Sequence, residues 1–163
     1  MNNKSINNYW LIWVTLFIGL LLEIFPWSES ILFLKPHWLM LILFYWTLAL
    51  PERVGIYTVF LAGIILDLFL GTVIGVHAFV FAVVTYFVAF RFQLIRNLAL
   101  WQQSFVILGL SICYNLCLLV LGIILYRMIM ISPMLFFSCV VDAVMWVIVY
   151  LSLNSIKTNF VIE

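Results

Sequence analysis

The amino-acid sequence predicts an all-α, polytopic integral membrane protein with a single transmembrane domain, residues 1–163. Two observations predict this class. The chain is 68% hydrophobic and only 8% charged, whereas soluble domains carry about 25% charged residues, so the outer surface must suit hydrocarbon rather than water. The apolar residues also form runs of about 20, the length at which a helix crosses a hydrocarbon core of roughly 30 Å.

Six such runs follow one another, and most are separated by an evident break. Pro26 follows the first run and Pro51 follows the second, whereas a glycine-containing turn separates the third from the fourth. The first run is too long for a signal-peptide core and lacks a small-residue cleavage site, so we expect it to be retained. The predicted spans are residues 9–25, 31–50 (or from His37), 54–70, 73–90, 104–126 and 134–153.

The distribution of lysine and arginine predicts the orientation, because cytoplasmic loops carry an excess of positive charge. With the N-terminus in the cytoplasm, only Lys35 and Arg127 of the seven cations face the opposite side. We therefore expect a multi-pass protein with both termini in the cytoplasm. The cations on its cytoplasmic side are Lys4, Arg53, Arg91, Arg96 and Lys157.

Composition and motifs argue against several functions. The net charge is +1, and the sequence has no basic patch that could neutralise the phosphate backbone of a nucleic acid. We therefore expect no nucleic-acid partner. The sequence lacks a phosphate-binding glycine loop, HExxH, GxSxG and CxxC, and we expect a non-enzyme without catalytic residues, cofactor or metal. Cys113 and Cys117 share a helical face, which permits a metal site in principle. No histidine or carboxylate stands at ligand spacing, so these residues and Cys139 are interpreted as small buried hydrophobes.

The segment GIILDLFLGTVIGVHAF places one carboxylate, Asp67, in an otherwise apolar run. A charged group at the bilayer centre costs on the order of 2.5–3.5 kcal/mol, so it needs a partner. Gly63, Asp67, Gly71 and Gly75 recur every four residues, and we predict a close helix-packing or partner interface there. Three roles of Asp67 stay open: fixing the packing through a turn N–H, His77 or another helix; contacting another membrane protein; or forming a proton or substrate site.

Further polar residues lie in or next to the predicted spans. With the N-terminus inside, they gather in the outer half of the membrane, where we predict an intramembrane polar cluster. Its members are Glu23, Asp67, His77, Arg127 and Asp142. Glu23 has an alternative role, since its carboxylate could reach the outer interface instead.

Residues 91–103, RFQLIRNLALWQQ, differ from the rest of the chain. Apolar residues at helical spacing alternate with polar ones, which predicts an amphipathic helix on the cytoplasmic surface. Arg96, Asn97, Gln102 and Gln103 would face water. Arg91, Arg96 and Trp101 are candidates for docking a cytoplasmic partner; alternatively, the segment only extends the fourth and fifth helices.

Three stretches, PHWLMLILFYWTLALPERVG, ILDLFLGTVIGVHAF and RNLALWQQ, resemble the MreD family of proteobacterial rod shape-determining proteins. The similarity extends over essentially the whole chain, although beyond about Gln103 it consists of generic apolar helices. The resemblance implies a bacterial inner-membrane protein with a six-helix fold like that of the substrate-binding subunits of energy-coupling-factor transporters. It transfers no catalytic residue, and Asp67 matches a motif position of the family.

The resemblance also implies a function, that of a non-catalytic scaffold in the cell-elongation complex that maintains rod shape. The implied partners are MreC through its transmembrane helix, MreB, RodZ, and RodA with its transpeptidase, which build peptidoglycan. Short predicted loops agree with a scaffold, because such a chain can act only through helix faces. The alternative is a small-molecule-binding subunit of a transporter, with Glu23, Asp67, His77 and Asp142 lining its pocket.

Overall fold

The computed structural model describes residues 9–28, 34–126 and 134–159. These residues form helices without any strand, which confirms the all-α prediction. Six of the helices, all except α5, coincide with the predicted apolar segments. The helices are α1 (Tyr9–Ile24), α2 (Trp38–Ala49), α3 (Ile56–Leu70), α4 (Val76–Phe90), α5 (Phe92–Arg96), α6 (Leu100–Tyr126) and α7 (Met134–Asn159).

Helix length divides the bundle into two groups. The stretches Leu100–Leu125 in α6 and Phe136–Thr158 in α7 are long and apolar enough to cross a membrane. The helices α1 to α4 contain 12 to 16 residues, which corresponds to roughly 18–24 Å and is less than the hydrocarbon thickness of about 30 Å. These apolar helices fit a membrane protein, and the number of crossings stays a prediction.

Helix α2 forms the centre of the core. Residues 39–48 are all buried, and the helix contacts α1, α4, α5 and α7. A helix that is apolar on every side lies either in a protein core or in lipid, and here other helices surround it. The burial of Trp46 and Phe44, both fully enclosed, therefore depends on the elements packed around α2.

Helix α1 covers one side of α2 with a single face. Its buried residues follow the helical repeat, as expected for a helix that packs on one side; they are Leu11, Ile12, Thr15, Leu16, Gly19 and Leu20. Near the middle of this contact, Trp46 Nε1 donates to Thr15 Oγ1 at 2.8 Å. The bond satisfies an indole N–H that the core would otherwise leave without an acceptor.

Large apolar side chains also cover much of the outer surface. On α3, Phe60, Leu61, Leu68 and Phe69 are exposed, as are Phe105 and Ile124 on α6. Soluble monomers rarely expose such continuous apolar surface. The exposed side chains fit the lipid-facing surface that the sequence predicts.

Helices α3 and α4 form a hairpin whose backbones approach closely at Gly63. A Cβ atom built on Gly63 would stand 2.6 Å from the backbone N of Ala78 and closer still to its Cα. Backbone atoms cannot move aside as the end of a flexible side chain can. The contact therefore requires glycine at position 63, in line with the small-residue packing of membrane helices.

The predicted amphipathic helix over residues 91–103 is wrong as a single element. Helix α5 ends at Arg96, and α6 begins at Leu100. Two glutamines of α6 bond to the backbone of the intervening turn and of the last part of α5. Gln102 Oε1 accepts from Ala99 N at 3.2 Å, and Gln103 Nε2 donates to the carbonyls of Ile95 and Leu98, each at 3.2 Å.

These side-chain bonds compete with a continuous helix and close the turn instead. Gln103, which we expected in water, is 2% exposed. The outcome shows that its amide serves the backbone of the turn, a role that the hydropathy of the segment does not reveal.

Substitution of Gly63 by alanine should destabilise the hairpin by about 1–3 kcal/mol, because overpacking forces the backbones apart. Thermal unfolding in detergent measures the effect. Gly109→Ala on α6 is the matched control, since nothing lies within 4 Å of a Cβ there and alanine favours a helix interior by about 0.5–1 kcal/mol. Equal effects of the two substitutions would contradict the close contact.

Candidate functional site

Asp67 is fully buried near the end of α3, and its carboxylate accepts hydrogen bonds from the start of α4. Gly75 N donates to Oδ2 at 2.8 Å, and His77 N donates to Oδ1 at 3.2 Å. Both side chains that face the carboxylate also donate to Oδ1, His77 Nδ1 at 2.6 Å and Thr72 Oγ1 at 2.8 Å. Asp67 therefore caps the N-terminus of α4 from a different helix.

The turn between α3 and α4 depends on two glycines with left-handed backbone conformations. Gly71 has φ +67° and Gly75 has φ +105°, a region that other residues rarely adopt. The backbone carbonyl of Asp67 accepts from Gly71 N and from Thr72 N. One residue thus closes both ends of the turn, with its carbonyl on the α3 side and its carboxylate on the α4 side.

Asp142 on α7 has the same role for helix α2. His37 N donates to Oδ1 at 2.8 Å, and His37 Nδ1 and Ser111 Oγ each donate to Oδ2 at 2.8 Å. Asp142 is fully buried, and its three donors come from the start of α2 and from α6. The bonds fasten α2, α6 and α7 together at one point.

Glu23 provides a further acceptor at the start of α2. Its Oε2 accepts from Leu39 N at 3.3 Å, and its backbone carbonyl accepts from Lys35 Nζ. Leu39 is the second residue of α2, where a helix leaves N–H groups without intrahelical partners. Two carboxylates, Glu23 and Asp142, therefore stabilise the N-terminus of this central helix.

Aromatic rings connect the two Asp–His pairs. Tyr114 of α6 makes an edge contact with His37, with ring centroids 5.0 Å apart, and stacks on Phe81 at 5.4 Å. Phe81 in turn lies 6.5 Å from the ring of His77. The pairs are thus separate hydrogen-bonded units on either side of a packed aromatic layer.

The arrangement suits structural stabilisation rather than chemistry. Neither aspartate is accessible, and each oxygen of both carboxylates already accepts at least one hydrogen bond. In hydrocarbon, a helix that starts inside the bundle has no water for its first N–H groups, so protein acceptors must replace it. Among the residues described, no group of three or more His, Cys, Asp or Glu side chains could hold a metal ion.

The structure distributes the predicted site residues over several places. Asp67 and His77 come together, Asp142 and Glu23 instead act at the start of α2, and Arg127 lies outside the described residues. Of the four positions spaced by four, Gly63 and Asp67 are buried in the α3–α4 hairpin, whereas Gly71 and Gly75 form its turn.

Sequence reasoning missed His37 and Ser111 as partners of Asp142. Pro36 directly before an apolar run marks a break after which a helix can begin, but it does not indicate that His37 meets Asp142. Ser111 has no such signal.

The docking candidates Arg91, Arg96 and Trp101 are all exposed, and Trp101 has 64% of its surface accessible.

Replacement of Asp67 by alanine should lower the free energy of unfolding by about 3 kcal/mol or more, because each buried donor left without an acceptor costs about 1–3 kcal/mol. Thr72→Val, which removes one of the bonds, should cost about 1 kcal/mol. For Asp67→Asn, which keeps one acceptor oxygen, the loss in the free energy of unfolding should lie between those of the other two variants. An Asp67→Ala protein as stable as Thr72→Val would contradict the cap.

A double-mutant cycle should separate the two Asp–His pairs. We expect Asp142→Asn and His37→Asn to be coupled by about 0.5–3 kcal/mol, as is usual for residues that share a hydrogen bond. Asp142→Asn and His77→Asn should be additive within about 0.5 kcal/mol. Chemical or thermal unfolding of the purified variants measures both cycles, and coupling of equal size in the two would refute separate pairs.

Comparison with known proteins agrees with the resemblance noted above. The family model described as rod shape-determining protein MreD matches residues 4–156. Rod shape-determining protein MreD of Haemophilus influenzae is 44% identical over 90 residues, which cover 55% of this chain and 56% of that relative. The match thus spans little more than half the length of the relative, and no solved structure matches the chain. Because the family model covers most of its residues, the chain belongs to the MreD family of rod shape-determining proteins.

Proposed function

We propose that the protein is a non-catalytic scaffold of the cell-elongation complex in the bacterial inner membrane. In this role it crosses the membrane six times, keeps both termini in the cytoplasm, and binds the transmembrane helix of MreC. Through MreC, MreB and RodZ it couples the filament to RodA and its transpeptidase, so that wall synthesis maintains rod shape. Family membership supports the rod-shape role, and the fold of energy-coupling-factor binding subunits stays a prediction.

The observation that carries this proposal is the outer surface of the bundle. The described connections between helices are short, and the exposed side chains of α1, α3, α6 and α7 are largely apolar. A protein with this surface presents its partners mainly with helix faces inside the bilayer. Association of such faces proceeds by close packing and by small residues, which suits a scaffold.

One surface feature favours a transmembrane helix as the partner. An apolar groove of ≈ 430 Å³ lies between α1 and α3, and its lining includes Trp13, Phe17, Leu20, Leu61, Ala62 and Ile65. The small side chain of Ala62 allows close approach, and the groove has almost no polar surface to require a polar ligand. We assign the MreC helix to this groove, in place of the face formed by Gly63, Asp67, Gly71 and Gly75. Gly63 and Asp67 of that face are already buried within the hairpin.

The transporter alternative receives less support from the geometry. Its pocket would need accessible carboxylates, but Asp67 and Asp142 have no exposed surface. The oxygens of both bind the starts of α4 and α2. No further observation favours a small-molecule site at these residues.

Leu61→Trp should reduce the recovery of MreC with the purified complex roughly tenfold, because overpacking the groove costs about 1–3 kcal/mol. The variant should also fail to restore rod shape to depleted cells. Co-purification and cell-shape complementation, each normalised to the amount of protein in the membrane, measure these effects.

Leu151→Trp on α7 is the matched control, since Leu61 and Leu151 are both 54% exposed. It should bind MreC and complement normally. Normal MreC recovery with Leu61→Trp would remove the groove as the binding site. Rod-shaped growth after depletion of the protein would overturn the scaffold function itself.

A further inference from the structure

A small pocket with both polar and apolar lining residues lies where α2 and α7 end, away from the starts of α2 and α4 that the Asp–His pairs bind. The space is ≈ 60 Å³, which suits a single small anion rather than a peptide segment or a helix. Its polar lining comes from four different helices: Tyr45, Arg96, Gln103, Tyr150, Asn154 and Lys157. Neither the caps nor the proposed MreC groove uses this pocket.

The pocket carries two positive charges without local compensation. Arg96 comes from the last turn of α5 and Lys157 from the last turn of α7. Within the described part of the chain, neither side chain forms an ion pair, and no carboxylate lines the pocket. Two cations that converge on one cleft attract an anion more strongly than dispersed surface charges do.

The backbone on both sides of Arg96 is held in place by buried contacts. Gln103 Nε2 bonds to the carbonyls of Ile95 and Leu98, and Gln103 Oε1 accepts from Trp146 Nε1 at 3.3 Å. This amide ties the short α5 segment to α6 and α7. The backbone that carries Arg96 is thereby fixed beside the cleft that Lys157 also lines, so less backbone ordering is needed when a ligand binds.

Tyrosines provide the remaining wall of the pocket. The rings of Tyr45 and Tyr150 meet edge to face, with centroids 5.6 Å apart, and Leu48 and Ala49 line the cleft beside them. Tyrosine is typical of the membrane–water interface, where one end of the side chain is apolar and the other polar. The pocket thus combines cations, hydroxyls and apolar atoms, the groups that surround a lipid phosphate and its glycerol.

We propose that this pocket binds the phosphate of an anionic phospholipid headgroup at the cytoplasmic surface of the membrane. Basic pockets between transmembrane helices on this side are known to accept such headgroups. The proposal rests on the membrane orientation proposed above but not on MreC binding. Arg96 and Lys157 supply the charge, and Tyr45, Tyr150 and Asn154 supply hydrogen-bonding groups around it.

Binding of phosphatidylglycerol to the purified full chain, in a neutral detergent, tests this site. Native mass spectrometry counts retained lipids, and thermal unfolding reports their stabilisation. Wild type should retain one phosphatidylglycerol in preference to phosphatidylcholine. The double variant Arg96→Gln, Lys157→Gln should bind it roughly 10- to 30-fold more weakly, as expected for two cations near a lipid surface.

Arg53→Gln, Arg91→Gln is the charge-matched control, because it removes two cations from the same side of the predicted membrane and neither residue lines the pocket. It should retain the lipid as wild type does. An equal loss in both double variants would reduce the effect to general charge attraction and overturn the site.

Two further probes distinguish other occupants of the pocket. Inorganic phosphate at millimolar concentration should stabilise the wild type less than phosphatidylglycerol; stronger, pocket-dependent stabilisation by free phosphate would replace the lipid with a soluble anion. Stabilisation by a poly-glutamate peptide but not by lipid would indicate that the pocket binds an acidic protein segment. This result would also overturn the proposal. None of these assays contains MreC, so their failure leaves the scaffold function untouched.

Discussion

The fold depends on three carboxylates, the buried Asp67 and Asp142 and the half-buried Glu23, which bind backbone N–H groups at the starts of α4 and α2. Helix α2 has only 12 residues and is enclosed by its neighbours from Leu39 onward, so its first N–H groups depend on protein acceptors. Asp142 and Glu23 supply acceptors there, and Asp67 supplies them for α4. A negative charge at a helix N-terminus is further favoured by the helix dipole. The acids are thus compatible with an apolar surrounding because each has a fixed, complementary partner.

These caps also determine how the helices are arranged. Asp142 can reach His37 only when α7 packs against the beginning of α2, and Ser111 adds α6 to the same contact. Gly63 brings α3 and α4 together closely enough for Asp67 to reach the next helix. Polar bonds of this kind specify which helix faces meet, whereas apolar packing in lipid distinguishes them less.

Hydropathy predicted the positions of the helices but not their contacts. The third and fourth spans differ from α3 and α4 by only two or three residues at their starts, since proline and glycine breaks mark helix ends. Spacing placed His77 among the candidate partners of Asp67, because the two lie ten residues apart. His37 and Asp142 are separated by 105 residues, and no local pattern indicates that they meet. Gln103 was assigned to water because polarity alone does not distinguish a solvated amide from one that bonds to a buried backbone turn.

The different ranges of the two Asp–His pairs have a consequence for biogenesis. The hairpin of α3 and α4 can close as soon as both helices have been synthesised, because the bonds of Asp67 span at most eleven residues. Glu23 can bind the start of α2 early, but the bonds from His37 must wait until α7 has been synthesised, since Asp142 arrives 105 residues later. Long-range contacts form late because chain closure opposes them. During translation, the start of the central helix is therefore fully capped only once the final helix has been inserted.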